Sequence, residues 1–346
     1  MRRLLLAALL LALLQPALAE QGQAIREKLE AQLFQLPPRT QGHYGIRLYR
    51  MTGDPRYLNA ALYDLYVVAD RLEAIGHGLI RPGYVRGYSQ QLVKALPRTQ
   101  RGRLRKAAIQ GREEYLFYAD ELLRYLSRLD ALGFEHPAEP YFRNLLRGYD
   151  FEKTLTDPKM IRAWAAQLAN HAWWLKQLGL KDHRQAFIDA FRATYPDDRD
   201  GKLSEQQLNN KIYGLTHMVF AASRYYQQPV SSKEFGWVAD YLADNIDAIL
   251  ARAKPDVIAE VGIVFLLLGK ERHPVVAKTR AAILAAVDPE QQLILSQRGS
   301  ADLALGEHRN VLAWMLLNWP DTLHPGPRLA AHKKIRDDLP RSVSAK

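Results

Sequence analysis

Three side chains that can transfer protons or bind anions share one side of a predicted helix at 205–227. At about 100° per residue, Tyr213, His217 and Arg224 fall in a row beside an apolar face. A phenol, an imidazole and a guanidinium can supply an acid, a base and an anion-binding cation. The sequence therefore predicts Tyr213 and His217 as catalytic residues and Arg224 as a substrate-binding residue. A partly solvated helix flank remains the alternative.

A second candidate group lies on an apolar helix predicted at 158–178. Its segment Asn170–Trp174 combines an amide, an imidazole and two indoles. His171 falls on the apolar side of this helix, where a histidine is either a buried core residue or a functional one. Tryptophan faces can bind sugar rings, although they also fill cores. His171 is thus a third candidate catalytic residue, and Asn170 and Trp174 are candidate substrate contacts.

The third candidate is a single carboxylate in an otherwise apolar stretch. Between Val257 and Leu268 the only charged residue is Glu260. A helix that is apolar on every side is buried, and a buried carboxylate is costly unless it is paired or protonated. Arg309, which follows His308 at the start of a predicted helix, is the obvious partner. Glu260, His308 and Arg309 are predicted to bind substrate, with a purely structural ion pair as the alternative.

The sequence gives little support for metal or cofactor chemistry. The chain has no cysteine, which excludes thiolate metal sites and cysteine nucleophiles. Asp198–Ser204 resembles the middle of a calcium loop, but Pro196 and Gln207 occupy the first and twelfth positions, where carboxylates are needed. Neither a glycine-rich phosphate loop nor a His-Glu-x-x-His motif occurs. We therefore expect no metal and no cofactor.

Residues 1–19 have the features of a secretory signal peptide. Arg2 and Arg3 precede a short apolar run, and Ala17-Leu18-Ala19 is a small-residue cleavage site. These features predict cleavage after Ala19 and a periplasmic or secreted protein. The apolar run is too short to span a bilayer and no later stretch is long enough, so no transmembrane segment is expected.

The charge of the exported chain narrows the choice of partners. Without Arg2 and Arg3 the formal charge falls from +11 to +9. A basic exported protein meets acidic polysaccharide or lipid headgroups rather than nucleic acid, although a positive charge also simply aids solubility. Residues 94–112 contain seven Lys or Arg and no acid. This basic stretch is either a docking surface for an acidic polymer or the solvated start of a helix.

Helix signals recur along the chain, whereas strand signals do not. Asp157 before Pro158 is a helix start, and Ser204 with Gln207 forms a capping box. Apolar helices alternate with more charged ones, which predicts inner and outer rings. The expected fold is an all-α (α/α) toroid in a single domain at 20–320, followed by an irregular tail at 321–346. Helices are predicted at 42–51, 55–75, 111–132, 139–148, 158–178, 182–194, 205–227, 232–252, 256–269, 273–287 and 308–319.

Three segments resemble a bacterial family of exported proteins that has no assigned activity. They are Asn210-Lys211-Ile212-Tyr213-Gly214-Leu215-Thr216-His217, Ser223-Arg224-Tyr225-Tyr226 and Pro255-Asp256-Val257-Ile258-Ala259-Glu260-Val261-Gly262. The resemblance covers the whole mature chain. It implies an exported protein and does not imply a mechanism.

A shorter part of the chain, roughly residues 165–226, resembles alginate lyases of the (α/α) toroid kind. Those enzymes carry Asn-Asn-His-Ser-Tyr-Trp on an inner helix. Here the segment reads Asn170-His171-Ala172-Trp173-Trp174, with Ala169 in place of the first asparagine. Their Gly-x-Leu turn and following helix are similar to Gly201-Lys202-Leu203 and Tyr213 through His217, but Thr216 stands where the family has tyrosine. The resemblance implies a uronate lyase and leaves the catalytic acid open.

The first functional hypothesis is an enzyme that cleaves a uronate linkage by β-elimination. An amide or guanidinium neutralises the uronate carboxylate, an imidazole takes the α-proton, and a phenol protonates the leaving oxygen. A glycoside hydrolase is the neighbouring alternative, but it needs two opposed carboxylates. The candidates for these roles are Asn170, Arg224 or Arg309 for the carboxylate, His171 or His217 for the base, and Tyr213 for the acid.

The second hypothesis is a non-enzymatic envelope protein. Its toroid would bind an acidic glycan or a partner protein in the central cavity. The enzyme hypothesis requires the ionisable residues of the inner helices to converge on one open cavity, whereas the binding hypothesis does not.

Overall fold

A computed structural model describes residues 18–337 and 343–345 of the chain. These residues are mostly helical, which confirms the all-α prediction. The strands found among them are four pieces of two residues each, β1 (Phe134–Glu135), β2 (Val287–Asp288), β3 (Leu293–Ile294) and β4 (Ser344–Ala345). The helices are α1 (18–32), α2 (Pro38–Thr52), α3 (Leu58–Leu79), α4 (Tyr84–Ala95), α5 (Gln100–Ile109), α6 (Arg124–Leu132), α7 (Glu139–Gly148), α8 (Glu152–Leu155), α9 (Pro158–Gln177), α10 (Arg184–Thr194), α11 (Glu205–Ala222), α12 (Ser232–Asp244), α13 (Ile246–Arg252), α14 (Pro255–Leu267), α15 (Pro274–Ala286), α16 (Leu303–Leu317) and α17 (Lys333–Asp337).

The predicted signal peptide lies outside the described residues except for its last two positions. Leu18 and Ala19 belong to α1. Cleavage after Ala19 and export therefore stay predictions. In the part of the chain that the structure describes, each helix is too short or too polar to cross a membrane.

The chain forms two compact units. Unit 1 comprises the described residues up to Ala61 together with Tyr226–Pro325, and unit 2 comprises Leu62–Tyr225 with the described residues from Gly326 onward. Helix α3 begins in unit 1 and continues in unit 2. The toroid arrangement and the domain boundaries at 20–320 and 321–346 stay predictions.

The core of unit 1 is α14. Every residue of α14 from Val257 to Leu267 is buried, which confirms the buried helix predicted around Glu260. Helices α15 and α16 pack against it, and α2 packs against α16. A Cβ atom at Gly262 would lie 2.5 Å from both Leu316 Cδ1 and Thr279 Oγ1. Gly262 is therefore needed for the close approach of these three helices.

A hairpin leads into α16 in unit 1. Strands β2 and β3 pair antiparallel, with Val287 opposite Ile294. The buried side chain of Asn310 accepts a hydrogen bond from Ile294 N at 2.8 Å and donates one to its carbonyl oxygen at 3.1 Å. Asp302 caps α16 at its start. The helix thus begins five residues before the predicted start at 308, since Leu303 is its first residue.

Unit 2 is built around α9 and α11, which pack against each other along their length. Both starts were predicted correctly. Asp157 accepts hydrogen bonds from the backbone of the first turn of α9, and Ser204 and Gln207 form the predicted capping box of α11. Helix α9 is kinked at Trp164, whose φ of −134° and ψ of 20° are not helical. Gly214 brings the two helices together, because a Cβ there would lie 2.9 Å from Ala165 Cβ.

Two segments of unit 2 differ from the predicted helices. The predicted helix at 111–132 contains a π-helix at Leu116–Leu123 before α6 begins, and π-helices are frequent at functional sites. The basic stretch at 94–112 contains α5, which was not predicted as a separate helix. At the C-terminus, β4 pairs with β1, with Ala345 opposite Phe134.

Candidate functional site

The predicted site residues fall into both units. Those on α9 and α11 and the residue just after α11 belong to unit 2, and those on α14 and α16 belong to unit 1. Each group is built on the helices of its own unit. The unit 2 residues are Asn170, His171, Trp174, Tyr213, His217 and Arg224, and the unit 1 residues are Glu260, His308 and Arg309.

In unit 2, the close packing of α9 and α11 brings Asn170 to His217. Nδ1 of His217 lies 3.2 Å from Oδ1 of Asn170 and 3.4 Å from the hydroxyl of Tyr225. An amide oxygen only accepts hydrogen bonds, so the contact with Asn170 is a hydrogen bond when Nδ1 of His217 carries the proton, and Nε2 is then the basic nitrogen. Asn170 is 8% exposed, and its burial fixes this geometry. The contact with Asn170 therefore fixes the orientation of the His217 ring.

Tyr213 stands one turn before His217 on the same side of α11. The two ring centroids are 6.2 Å apart. Both side chains are half-buried, whereas most of the residues around them on α11 are buried. The guanidinium carbon of Arg101, on α5, lies 5.5 Å from the centre of the Tyr213 ring. A phenol, an imidazole and a guanidinium thus occur together here. We call Asn170, Tyr213, His217 and Arg101 the unit 2 cluster.

His171 is enclosed rather than open. It is 1% exposed, its Nδ1 lies 2.9 Å from the hydroxyl of Tyr115, and its Nε2 lies 3.1 Å from Oδ1 of Asp120. Burial opposes the ionisation of Asp120, but the hydrogen bond with His171 and the nearby positive charges hold the pKa of this carboxyl below its ordinary value. Because both ring nitrogens of His171 have partners, its surroundings favour a positioning role over the predicted catalytic one.

The π-helix explains how Asp120 reaches His171. This segment presents Asp120 to α9 and the next residue, Glu121, to Tyr88 on α4, whose hydroxyl donates to the Glu121 carboxylate at 2.9 Å. Neighbouring side chains on an α-helix point about 100° apart, and the wider π-turn changes that spacing. The irregular backbone thus aims two consecutive carboxylates at two different helices.

Aromatic and basic side chains flank the unit 2 cluster. Trp174 is half-buried, with its ring 5.6 Å from that of His171. The guanidinium of Arg105 lies 4.3 Å from the ring centre of Trp164 and donates to Oε1 of Gln167 at 2.8 Å. Burial, followed by repulsion from Arg101, lowers the pKa of Arg105 to about 10. Arg105 therefore remains charged at neutral pH.

The chain leaves α11 through a left-handed turn of three residues. Arg224, Tyr225 and Tyr226 have φ values of 53°, 56° and 70°, and none of them is glycine. Such a conformation costs roughly 1 kcal/mol or more per residue and persists where the surroundings enforce it. The turn ends the helix predicted to run to 227, and it returns the Tyr225 hydroxyl to His217. The strained segment thus lies directly beside the candidate base.

In unit 1, two imidazoles are each backed by a buried carboxylate. Nδ1 of His43 lies 2.9 Å and 2.8 Å from the two carboxylate oxygens of Glu307, and Nε2 of His308 lies 3.8 Å from Oε1 of Glu260. The two rings are 5.4 Å apart. The Glu307 and Glu260 side chains are 4% and 1% exposed. We call these four residues, together with the buried Arg47, the unit 1 cluster.

Glu260 contacts His308, whereas Arg309, the predicted partner, bonds elsewhere. Arg309 uses its Nε to donate to the carbonyl oxygen of Ile294 at 2.8 Å, and its neighbour His308 turns toward Glu260. Arg309 therefore holds the hairpin that precedes α16. Successive residues on a helix point about 100° apart, which is why the two adjacent side chains have different partners.

Two carboxylates in and beside the calcium-like segment, those of Asp200 and Asp197, contact an ammonium group. Nζ of Lys211 lies 2.7 Å from Oδ1 of Asp197 and 2.7 Å from Oδ1 of Asp200, and Lys211 is 1% exposed. A buried lysine is tolerated when carboxylates surround its charge. Among the described residues, no cluster of three or more His, Asp or Glu side chains is arranged to hold a metal ion.

Several residues of both clusters were missed by the sequence reasoning, although their spacing carried a signal. His43, Arg47 and Arg50 recur at i, i+4 and i+7, which places them on one face of α2. Arg101 and Arg105 are likewise one turn apart within the basic stretch at 94–112. The signal that could have identified them is the recurrence of basic residues at the spacing of one helical turn.

A family model described as "Domain of unknown function (DUF3541)" matches residues 18–346. The chain belongs to the DUF3541 family. No curated protein and no solved structure matches this DUF3541 chain. The family match agrees with the resemblance to a family of unassigned function.

Proposed function

We propose that the unit 2 cluster is the active site of an exported enzyme that cleaves an acidic polysaccharide by β-elimination. The observation that supports this most strongly is the half-buried His217, whose Nδ1 is hydrogen-bonded to Asn170 while Tyr213 lies one turn away. This arrangement combines an imidazole base, whose ring is oriented by a hydrogen bond, with the phenol of Tyr213. The positive charge of Arg101 beside Tyr213 suits an anionic substrate.

In the proposed reaction, a guanidinium group first neutralises the negative charge of the substrate carboxylate. Arg101 lies beside Tyr213, and the exposed Arg224 follows α11. Neutralising the carboxylate makes the proton on the adjacent carbon more acidic. Nε2 of His217 takes that proton, and the electron pair of the broken C–H bond forms a carbon–carbon double bond.

The leaving oxygen then departs with a proton from the Tyr213 hydroxyl. The bond between the sugar carbon and the glycosidic oxygen breaks as the double bond forms, so one proton is taken and one is given. The products are a shortened chain and a fragment with an unsaturated sugar at its new end. Trp174 offers a half-buried indole face for a sugar ring.

His171 acts in this proposal as a positioning residue. Its contacts with Tyr115 and Asp120 anchor α9, which carries Asn170, to the π-helix. The predicted contribution of Glu260, His308 and Arg309 to substrate binding stays a prediction, because these residues belong to the other unit.

The proposal is tested by incubating the purified mature chain with a panel of polyuronates and following the ultraviolet absorbance of unsaturated ends. We expect turnover of at least one polyuronate, and a loss of about 100-fold or more in His217→Ala. His77→Ala is the matched control, because His77 is in the same unit with a side chain that is 75% exposed.

Two outcomes would replace the proposal. New reducing ends without absorbance would indicate a glycoside hydrolase. Saturable binding of a polyuronate without any cleavage would indicate the non-enzymatic glycan-binding module.

A further inference from the structure

We propose that unit 1 carries a separate ligand site, in which Arg47, His43 and His308 bind an oxyanion group and Glu307 couples that binding to proton uptake. The site uses none of the residues of the unit 2 cluster. Its ligand class is a phosphate, sulfate or carboxylate group, which share the same hydrogen-bonding chemistry.

Helix α2 supplies the positive side of this site. His43, Arg47 and Arg50 lie on one of its faces, and both arginines are largely buried, with 9% and 8% of their surfaces exposed. Two guanidinium groups on the same face as an imidazole supply positive charge, which favours an anion.

The two imidazoles are the accessible groups of the site. The His308 side chain is 45% exposed and that of His43 is 25% exposed, whereas the carboxylates of Glu260 and Glu307 lie beneath them. A carboxylate partner orients an imidazole and stabilises its protonated form. With ring centres 5.4 Å apart, the two imidazoles can donate to oxygens of a single small anion.

Arg47 provides an independent sign of a ligand. Its Nη1 donates to the carbonyl oxygen of His43 at 3.2 Å, and its guanidinium carbon lies 5.7 Å from the ring centre of Tyr226. Its Nε is buried and lacks a hydrogen-bond partner within the part of the chain that the structure describes. A buried charged donor without an acceptor is costly, and an oxyanion beside His43 would satisfy it.

Glu307 explains why binding should depend on protons. Burial raises its pKa to about 7, against the opposing effects of Arg47 and His308. Above that pH the carboxylate charge repels an anion, and below it the neutral carboxyl does not. A bound anion would favour the protonated form of the His308 ring.

Other charged groups face the site from the helices packed around it. Helix α14 contributes Asp256 and Glu260, and α16 contributes Arg309. Tyr226 is buried, and burial raises the pKa of its hydroxyl far enough to keep it neutral. Arg50 and Arg47 are both close enough to influence that hydroxyl. Glu307 is therefore one group of the site whose charge changes near neutral pH.

The test is isothermal titration of the mature chain with sulfate, with inorganic phosphate and with glucuronate. Sulfate is the probe for pH dependence, because its charge does not change near neutral pH whereas phosphate titrates there. We expect sulfate to bind roughly tenfold more tightly at about pH 6 than at about pH 8, with net proton uptake measured in buffers of different ionisation enthalpy. The three ligands distinguish a phosphate or sulfate ester from a uronate carboxylate.

The Glu307→Gln variant distinguishes the coupling of anion binding to proton uptake from a purely structural role of Glu307. Glutamine keeps the shape of the side chain and removes its charge, so the variant should bind sulfate at about pH 8 as tightly as the parent does at about pH 6. Glu290→Gln, an exposed residue of the same unit, should behave like the parent. Arg47→Met should bind none of the three ligands.

The proposal is overturned if none of the three anions binds at either pH. It is equally overturned if Glu307→Gln leaves the pH dependence of sulfate binding unchanged. Because no turnover is measured, neither result depends on whether unit 2 is an active site. Should Arg47→Met fail to fold, the Glu307→Gln result alone decides the matter.

Discussion

The two clusters use the same side chain, histidine, with opposite kinds of partner. In unit 2, His217 is bonded to the neutral amide of Asn170, and in unit 1, His43 and His308 face the carboxylates of Glu307 and Glu260. An amide fixes the tautomer without adding a full charge, whereas a carboxylate also favours the imidazolium. The first arrangement suits a neutral base, and the second suits a proton-dependent donor.

The partner also decides how strongly a histidine supports the fold. His171 is enclosed between Tyr115 and Asp120, so both of its hydrogen bonds are made inside the protein. His217 and His308 are only partly buried. A histidine is thus a structural element in one place and an accessible chemical group in another.

The largest expected effect is on stability, at His171. Replacing it with alanine leaves the Asp120 carboxylate and the Tyr115 hydroxyl without their partner, and we expect a loss of about 3 kcal/mol in the free energy of unfolding. Urea denaturation of His171→Ala and His217→Ala measures the difference, and the latter should lose about 1 kcal/mol or less. Equal losses would remove the distinction between an enclosed and an accessible histidine.

The second prediction concerns the pH dependence of stability through Glu307. Its folded pKa of about 7 lies above the ordinary value of 4.5, so the folded state holds a proton that the unfolded chain releases. This contribution is present below about pH 4.5 and is lost as the pH rises to about 7. Relative to the parent, Glu307→Gln should gain up to about 3 kcal/mol across that window in urea denaturation.

The exposed Glu290→Gln is the control for this prediction. It removes the same charge from the surface of the same unit, and its stability difference from the parent should not change with pH. A pH-independent difference for Glu307→Gln would mean that the buried carboxyl keeps its ordinary affinity for protons.

The third prediction concerns a variant in which His217 faces a carboxylate, as the histidines of the unit 1 cluster do. Asn170→Asp places a carboxylate 3.2 Å from Nδ1 of His217 with little change in shape. An adjacent opposite charge favours the imidazolium, and we expect the pKa of His217 to rise by about 1–2 units relative to the parent. Titration of the ring by nuclear magnetic resonance measures the change without any assay of turnover.

The same substitution should shift the acidic limb of any rate profile to higher pH, because a base must be unprotonated to act. Asn170→Ala is the companion variant, since it removes the partner without adding a charge. If Asn170→Asp and Asn170→Ala give the same titration curve, the amide has no special influence on His217.

The smallest expected effect is at the left-handed turn. Arg224→Gly should raise the free energy of unfolding by about 1 kcal/mol, because glycine adopts a positive φ without strain. Arg224→Ala keeps the strain and removes the side chain, so the two variants separate backbone from side-chain effects. Thermal denaturation compares them. If glycine gives no advantage over alanine, the turn is not strained.

Local signals made most of the helices predictable. Helices α9, α10, α14 and α15 lie within a few residues of their predicted bounds, because their caps and apolar periods are contained in short stretches of sequence. The exceptions have physical causes. The aromatic period continues past Ala222, but the backbone turns left-handed at Arg224. The predicted helix at 232–252 is interrupted at Asn245, between α12 and α13.

The site was less predictable than the fold. Residue types identified His217, Asn170 and Glu260 as candidates, but they could not show that His43 on a distant helix pairs with Glu307. They also pointed to Arg309 as the partner of Glu260. The sequence of α16 does not determine how the helix is rotated about its axis, and this rotation decides which side chain faces Glu260.

The sequence by itself determined that this chain is helical, where most of its later helices begin, and that Glu260 lies in a buried helix. These properties depend on caps and on apolar periodicity, which act over a few residues. Only the tertiary structure decided which nitrogen of each histidine has a partner and what that partner is. The contact between His217 and Asn170 joins residues on two helices, and its geometry depends on how closely Gly214 lets α9 and α11 approach.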